Sequence, residues 1–149
     1  MKVLLVCSPG GHLQQMLALR PAWEAAERTW VTLRGADVEY LLRDETVVLG
    51  RGPTNRSLLN LLRNLALAWR VVGKRRPDVI LSTGAGLAVP FFLVGKLRRR
   101  RLVYVESVTR TESASLSGRL VYPLADEFFM QWPDAARNRR RARYEGSVL

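Results

Sequence analysis

The one histidine of the sequence, His12, follows a pair of glycines in the segment Ser8-Pro9-Gly10-Gly11-His12. Histidine is the side chain best suited to proton transfer near neutral pH. Glycines let the backbone approach a ligand closely, and the first amides of a helix attract anions. An apolar run precedes this segment, and a helical pattern begins at residue 13. The segment is therefore predicted to be a phosphate-facing loop that also offers a general base.

Two further segments carry related chemistry. Thr83-Gly84-Ala85-Gly86 places small residues between a β-branched run and a helical pattern, and Glu106-Ser107 ends another such run, with Arg110 shortly after. Glycine is also the common solution for a tight turn, so each glycine turn has a purely structural alternative. Glu106 is a second candidate base, with the alternative that it accepts backbone amides beside Ser107. His12 has the alternative of a structural imidazole.

These segments must be positioned by regular elements, and short β-branched runs alternate with longer helical patterns along the chain. Strands are predicted at residues 3–7, 29–33, 46–49, 79–82, 102–106 and 127–130. Helices are predicted at residues 13–20, 38–43, 57–75, 87–98 and 115–125, with a further short piece after Pro21. This alternation predicts one α/β domain over residues 1–149, a Rossmann-like parallel sheet of about six strands with helices on both faces and a basic C-terminal tail at about 134–149.

The carboxyl ends of parallel strands are where such sheets bind ligands, near the point at which the strand order reverses. The first, fourth and fifth strands should therefore bring the three segments to one rim. The first loop lacks the glycine spacing of a dinucleotide fingerprint, and Leu33-Arg34 stands where an acidic residue would close the second strand, so NAD is disfavoured. No lysine followed by Ser or Thr stands in the loop, which excludes a Walker A motif.

The single cysteine, Cys7, excludes an intramolecular disulfide and a cysteine-based metal cluster, and it fits a reducing compartment. Its apolar neighbours favour a buried core thiol over a nucleophile. No metal and no cofactor is predicted. The longest uninterrupted apolar stretch, residues 87–94, is far shorter than the roughly 20 residues of a membrane-spanning helix. The N-terminus also lacks a signal peptide, so a cytoplasmic location is expected.

The charge balance indicates an anionic partner. The chain has 24 Lys and Arg against 13 Asp and Glu, a net charge of +11, and arginines cluster at residues 74–76, 98–101 and 137–143. Such clusters suit nucleic acid or an acidic membrane surface, with solvated arginines as the alternative. No motif that reads nucleic acid accompanies them. Residues 58–72 and 87–97 are each either an interfacial helix or a helix packed on the sheet.

Several segments together carry a family resemblance. They are the Gly-Gly-His loop, residues 103–107 with Arg110, residues 116–122, and Ala125-Asp126 followed by Gln131-Trp132-Pro133. In this order they resemble the acceptor-binding subunit of the two-component UDP-N-acetylglucosamine transferase of lipid-linked oligosaccharide synthesis and its bacterial exopolysaccharide relatives. The likeness covers nearly the whole chain. A more distant similarity is to the N-terminal half of the peptidoglycan lipid-intermediate N-acetylglucosaminyltransferase.

The resemblance implies half of a GT-B glycosyltransferase. The donor-binding half would be a separate small chain that grips a UDP-sugar, and the isolated chain would be inactive. Eukaryotic members carry an N-terminal membrane anchor that this sequence lacks, so attachment at the inner face of the cell membrane is expected to be peripheral or to be supplied by a partner. A basic nucleic-acid-binding protein without catalysis is the alternative function.

The resemblance also implies residue roles. The acceptor, a sugar on a polyprenyl diphosphate, would lie in the crevice between the two chains. His12 or Glu106 would be the catalytic base. The residues expected to bind the acceptor and its diphosphate are Ser8, Gly10, Gly11, Thr83, Gly84, Gly86, Ser107 and Arg110. Gln131 and Trp132 are expected at the partner interface, with a packing role as the alternative for Trp132.

Overall fold

A computed structural model describes residues 1–148, and this part of the chain forms a single sheet of seven strands with seven helices. The strands are β1 (Lys2–Val6), β2 (Glu27–Thr32), β3 (Val47–Leu49), β4 (Val79–Ser82), β5 (Arg101–Val105), β6 (Glu127–Met130) and β7 (Ala142–Tyr144). The helices are α1 (Gly11–Ala18), α2 (Arg20–Trp23), α3 (Ala36–Leu41), α4 (Leu58–Arg75), α5 (Ala88–Leu97), α6 (Leu116–Val121) and α7 (Pro133–Arg137).

The sheet order is β3-β2-β1-β4-β5-β6-β7, and every neighbouring pair is parallel. The chain builds outward from β1 to β3 and then crosses to the other side of β1 to begin β4. The strand order therefore reverses between β1 and β4, and this reversal opens a crevice at their carboxyl ends. The predicted fold class, a Rossmann-like parallel sheet with helices on both faces, is confirmed.

The core has two layers, one on each face of the sheet. Leu4 and Val6 of β1 belong to the layer under α4, α5 and α6, whereas Leu5 and the residue after the strand, Cys7, belong to the layer under α1, α2 and α3. Successive side chains of a strand point to opposite faces, so a strand covered on both sides is apolar throughout. Cys7 is fully buried and free, which confirms the prediction of a core thiol.

The seventh strand lies inside the basic segment 134–149 and was not among the six predicted. β7 pairs with β6 in the register Phe128 to Ala142, and Arg143 forms an ion pair of 3.3 Å with Glu127. The strand has only three residues with an arginine at its centre, so no hydrophobic alternation marks it in the sequence. Pairing with an existing sheet edge, rather than local preference, defines this strand.

Helix ends follow local chemistry. α4 begins after Ser57, whose hydroxyl accepts the amide of Asn60 at 3.3 Å, and it ends before Arg76, whose left-handed backbone caps the helix. α6 is shorter than the predicted 115–125 and ends at Val121. Pro123 has no amide hydrogen to continue the helical pattern, and the amides of Leu124 and Ala125 both bond to the Val121 carbonyl instead.

Candidate functional site

His12 lies at the start of α1 and is held by Thr83, which follows β4 on the other side of the crevice. Its Nδ1 lies 2.8 Å from the Thr83 carbonyl oxygen, and the Thr83 hydroxyl donates to the His12 carbonyl at 2.7 Å. A carbonyl can only accept, so Nδ1 carries the proton and Nε2 of the neutral ring holds the lone pair. Within residues 1–148 nothing hydrogen-bonds to Nε2. The imidazole is thereby oriented as a proton acceptor.

The turn after β4 is shaped to fit this imidazole. Gly84 has a φ of +121°, and a Cβ there would lie 2.8 Å from Cε1 and 2.9 Å from Nδ1 of His12. Gly86 is just as confined, because its Cβ would lie 2.9 Å from the side chain of Thr54. Both glycines are required by close approach of a neighbour, in addition to the turn itself.

Two predicted anion donors are already committed within the chain, which corrects the expectation for them. Thr83 is fully buried, and its hydroxyl and carbonyl both serve His12. The Gly10 amide donates to a carboxylate oxygen of Asp37 at 2.7 Å, so it is not available to a phosphate. Thr83 and Gly10 therefore position the loop and the imidazole instead of contacting a ligand.

A cavity of about 930 Å³, called here the rim cavity, opens at the carboxyl ends of the strands. Of the predicted site residues, the structure brings His12, Gly86, Glu106, Ser107 and Arg110 to its wall. The other five residues expected to bind the acceptor, Ser8, Gly10, Gly11, Thr83 and Gly84, lie outside the lining. The three predicted segments thus meet at one rim, but only some of the residues expected to face a ligand line the cavity.

Glu106 is used by its own neighbours. It is fully buried, its Oε1 accepts the Ser107 amide at 2.9 Å, and its Oε2 accepts the amide and hydroxyl of Ser115, each at 2.9 Å. A Cβ at Gly118 would collide with Oε2. These contacts correspond to the structural alternative given for Glu106, in which its carboxylate accepts backbone amides beside Ser107.

The loop after β5 is fixed by a buried amide network. The Gln15 carbonyl oxygen accepts the Val108 amide at 3.0 Å and the Gln131 amide group at 2.5 Å, and Gln131 also donates to the Glu106 carbonyl. Satisfied buried networks of this kind hold backbone rigidly. The loop therefore presents Arg110 at the cavity, where its exposed guanidinium makes no ion pair within residues 1–148.

Gln131 and Trp132 differ in what they can offer a partner. Gln131 is only 3% exposed, and its carbonyl oxygen accepts the Val148 amide at 2.9 Å, so its side chain lies inside the chain and not at the expected interface. Trp132 is 41% exposed, and its indole donates to the Val108 carbonyl at 2.6 Å. Only Trp132 of this pair presents a substantial face to the outside.

Sequence reasoning missed one wall of the rim cavity. The segment before α4 contributes Thr54, Asn55, Arg56 and Ser57, and α4 itself contributes Leu58 and Leu61. Ser115, which caps α6, also lines the cavity, together with Leu116, Ser117 and Leu120 of that helix. The signal in the sequence was Ser57 and Ser115, because serine is a preferred helix cap and each of them marks a helix that begins at the rim.

Leucines form an apolar edge beside the polar floor of the cavity. Leu58 and Leu116 are each 71% exposed, and Leu120 is about half exposed. They lie on α4 and α6, which flank α5 on one face of the sheet. Exposed apolar side chains gathered at a cavity mouth are typical of binding surfaces. Within residues 1–148, no helix combines the length and the apolar character needed to cross a bilayer.

Two other titratable groups lie near the crevice, and burial keeps both protonated. Burial, with a smaller contribution from Asp37, raises the pKa of Cys7 to about 12. Burial and then the charge of Glu106 raise the pKa of Tyr104 above its ordinary value. Neither group can therefore accept a proton near neutral pH.

Comparison with known proteins finds relatives along the whole chain. A family model described as "Oligosaccharide biosynthesis protein Alg14 like" matches residues 48–148. The UDP-N-acetylglucosamine transferase subunit ALG14 of Eremothecium gossypii is 38% identical over an alignment of 181 residues, which covers 99% of this chain and 80% of the relative. The subunit of the same name from Rattus norvegicus is 32% identical, covering 99% of this chain and 82% of the relative.

Solved structures share the fold. Acinetobacter baumannii MurG superposes with a TM-score of 0.78 at 16% identity, covering 100% of this chain and 46% of that one. The UDP-GlcNAc 2-epimerase of Neisseria meningitidis bound to UDP-GlcNAc gives a TM-score of 0.77 at 14% identity, covering 99% and 47%. The chain thus spans less than half the length of either structure.

Proposed function

The chain belongs to the Alg14-like family of oligosaccharide biosynthesis proteins, and from that premise we propose that it is the acceptor-binding subunit of a heteromeric glycosyltransferase. The subunit binds a polyprenyl-diphosphate-linked saccharide, to which a sugar is transferred from a UDP-sugar held by a partner chain. The observation that carries this proposal is the imidazole of His12, fixed through Nδ1 at the wall of the rim cavity with Nε2 unpaired among the described residues.

His12 acts as the general base of the transfer. Its Nε2 takes the proton of the acceptor hydroxyl while the hydroxyl oxygen bonds to the anomeric carbon of the donor sugar. The bond from that carbon to the UDP leaving group breaks in the same step. The proton on Nδ1 stays on that nitrogen, where it is donated to the Thr83 carbonyl oxygen, and this hydrogen bond stabilises the imidazolium that forms. Glu106 positions the loop beside it and takes no part in the proton transfer.

The rim cavity matches an amphiphilic acceptor in its two kinds of lining. The diphosphate would contact the guanidinium of Arg110 and the hydroxyl of Ser107. It would also lie against the backbone of the glycine turn at Gly86. The leucines at the cavity mouth lie where the polyprenyl chain would leave.

The donor side of the reaction is supplied by a second chain. The described fold corresponds to 46% of the MurG chain, and the relatives are named as subunits of a UDP-N-acetylglucosamine transferase. A donor-binding chain would close the open side of the cavity, with the exposed face of Trp132 as part of the interface. The isolated chain is then expected to be inactive.

The complex works at the cytoplasmic face of the cell membrane, to which this subunit attaches peripherally. The exposed leucines of α4 and α6 and the basic ends of α4 and α5 offer an apolar surface flanked by positive charge. Such a surface suits a bilayer with anionic lipids. Pelleting with acidic vesicles but not with duplex DNA is expected, and the reverse would support the nucleic-acid alternative.

The test is transfer from UDP-N-acetylglucosamine to a polyprenyl-diphosphate-linked saccharide. The chain is assayed alone and after reconstitution with its donor-binding partner, as wild type, His12→Ala and Gln14→Ala. Gln14 is exposed on the same turn of α1 and serves as the matched control. Activity is expected only in the complex, lowered about 10²–10⁴-fold by His12→Ala and unchanged by Gln14→Ala.

Two results would overturn the proposal. Equal activity of the isolated chain would remove the need for a partner. A His12→Ala complex that works at nearly the wild-type rate would remove the imidazole from the chemistry. Co-purification with the partner is measured for each variant, together with Trp132→Ala, which is expected to weaken assembly without altering the folded core.

A further inference from the structure

A second cavity, of about 670 Å³, lies beside α4 and shares no lining residue with the rim cavity. Four arginines line it, Arg34, Arg51, Arg63 and Arg70, and we call it the arginine cavity. None of the four belongs to the arginine clusters that stand out in the sequence. The structure therefore gathers a positive site from residues that are scattered along the chain.

The topology explains why these four side chains meet. Thr32 and Leu49 are partners in the parallel pairing of β2 with β3, and Arg34 and Arg51 each stand two residues beyond them. Arg63 and Arg70 are seven residues apart on α4, so they lie on the same side of the helix two turns apart. Two strand ends and one helix face thus converge on a single hollow.

The position of Arg51 is fixed by a buried side chain. Asn64 of α4 is 1% exposed, its oxygen accepts the Arg51 amide at 2.8 Å, and its nitrogen donates to the Arg51 carbonyl at 2.9 Å. One turn earlier, Asn60 donates to the Pro53 carbonyl at 2.9 Å. Two asparagines spaced by four residues therefore tie the loop after β3 to α4. Burying their polar amide groups costs free energy, which the hydrogen bonds to the loop offset.

The positive charge of the arginine cavity is not compensated. In the part of the chain that the structure describes, no Asp or Glu lines the cavity, and none of its four guanidiniums forms an ion pair. Elsewhere the chain does pair its arginines, as in the bond of 2.7 Å between Arg28 and Glu45. Like charges gathered in a concave wall repel each other and attract anions.

We propose that the arginine cavity binds a ligand that carries a diphosphate or two neighbouring phosphate groups. The planar, forked donors of arginine match phosphate oxygens in pairs, and several such contacts distinguish a phosphate-rich ligand from a singly charged ion. This site stands apart from the acceptor site and does not depend on the function proposed above. Ligand binding in the arginine cavity is independent of whether His12 acts as a base.

The same chemistry has two sources, a soluble diphosphate and the headgroup of an anionic lipid. The exposed side of α4 also carries Leu58, Leu62 and Trp69, so the arginines lie next to an apolar ridge. A headgroup would enter the cavity while its acyl chains lie along that ridge. A soluble diphosphate would bind in the cavity without contacting that ridge.

Binding of the full chain to two probes separates these sources. Inorganic pyrophosphate is titrated calorimetrically, and flotation is measured with phosphatidylcholine vesicles that contain or lack cardiolipin, whose headgroup carries two phosphates. The cavity variant is Arg51→Gln with Arg63→Gln. The matched control is Arg75→Gln with Arg140→Gln, which removes the same charge from exposed positions that line neither cavity. Thermal unfolding of each variant verifies the fold.

The proposal expects the cavity variant to lose about tenfold or more in affinity for at least one probe, with the control near wild type. Loss confined to pyrophosphate supports a soluble ligand, and loss confined to vesicles with cardiolipin supports a headgroup. Equal losses in the cavity variant and the control would show that net charge alone is responsible and would overturn the site. Failure of the wild type to bind either probe would overturn it as well.

Discussion

Thr83 and His12 hold each other through two hydrogen bonds that run in opposite directions. The His12 ring nitrogen Nδ1 contacts the Thr83 carbonyl at 2.8 Å, and the Thr83 hydroxyl contacts the His12 carbonyl at 2.7 Å. The first bond selects the tautomer of the ring, whereas the second ties the start of α1 to the end of β4. Substitutions can separate these two effects.

Thr83→Val removes the hydroxyl and leaves the carbonyl that orients His12. We expect the free energy of unfolding to fall by about 0.5–1.5 kcal/mol, because one buried hydrogen bond is lost. Transfer by the reconstituted complex should fall less than it does in His12→Ala. Thr111→Val, at an exposed position, is the control for both urea denaturation and activity. A loss of activity as large as that of His12→Ala would instead place the hydroxyl on the substrate.

Gly84→Ala is expected to displace the imidazole. The new Cβ would lie 2.8 Å from Cε1 of His12, and the backbone at φ +121° is strained for any residue with a side chain. Activity of the complex should fall at least tenfold. Gly146→Ala is a matched control, since its φ is +107° but nothing lies within 4 Å of its Cβ. Equal activity in the two variants would show that His12 need not hold this position.

Glu106→Gln tests whether the carboxylate is structural. A glutamine must turn an NH₂ group toward the amide of either Ser107 or Ser115, so one buried donor faces another. We expect unfolding free energy to fall by about 1–3 kcal/mol, with the shape of the pH–rate profile unchanged. Urea denaturation and kcat over a pH series provide the two readouts. If the free energy of unfolding were unchanged and one limb of the pH–rate profile were lost, Glu106 would act in the proton transfer.

Cys7 makes stability depend on pH in the alkaline range. Burial raises the pKa of its thiol from 9.0 to about 12 in the folded chain. Between those values the unfolded chain has lost the thiol proton while the folded chain retains it, so stability is full below pH 9 and falls as pH rises. The loss approaches about 1.4 kcal/mol per pH unit. Denaturation under reducing conditions should show a shallower decline in Cys7→Ala, and identical slopes would contradict the assignment.

The sequence predicted the fold class and the place of the site, because both follow from local signals. The strand-forming run of β1 and the glycines that end it, together with the similar pattern at β4, were enough to predict a parallel sheet with loops at one rim. β7 could not be predicted, since a three-residue strand centred on Arg143 depends on the edge of β6 for its existence. Family likeness came from short motifs, and full-length relatives bear it out.

Residue types and spacing by themselves determined that His12, Gly84 and Glu106 would share one edge of a sheet. Only the tertiary structure decided what each of them does there. Whether an amide or a carboxylate is free to contact a ligand depends on residues from other segments of the chain. The Gly10 amide donates to Asp37, and the Ser115 hydroxyl donates to Glu106. The arginine cavity has the same origin, because Arg34, Arg51, Arg63 and Arg70 become neighbours only when β2, β3 and α4 pack together.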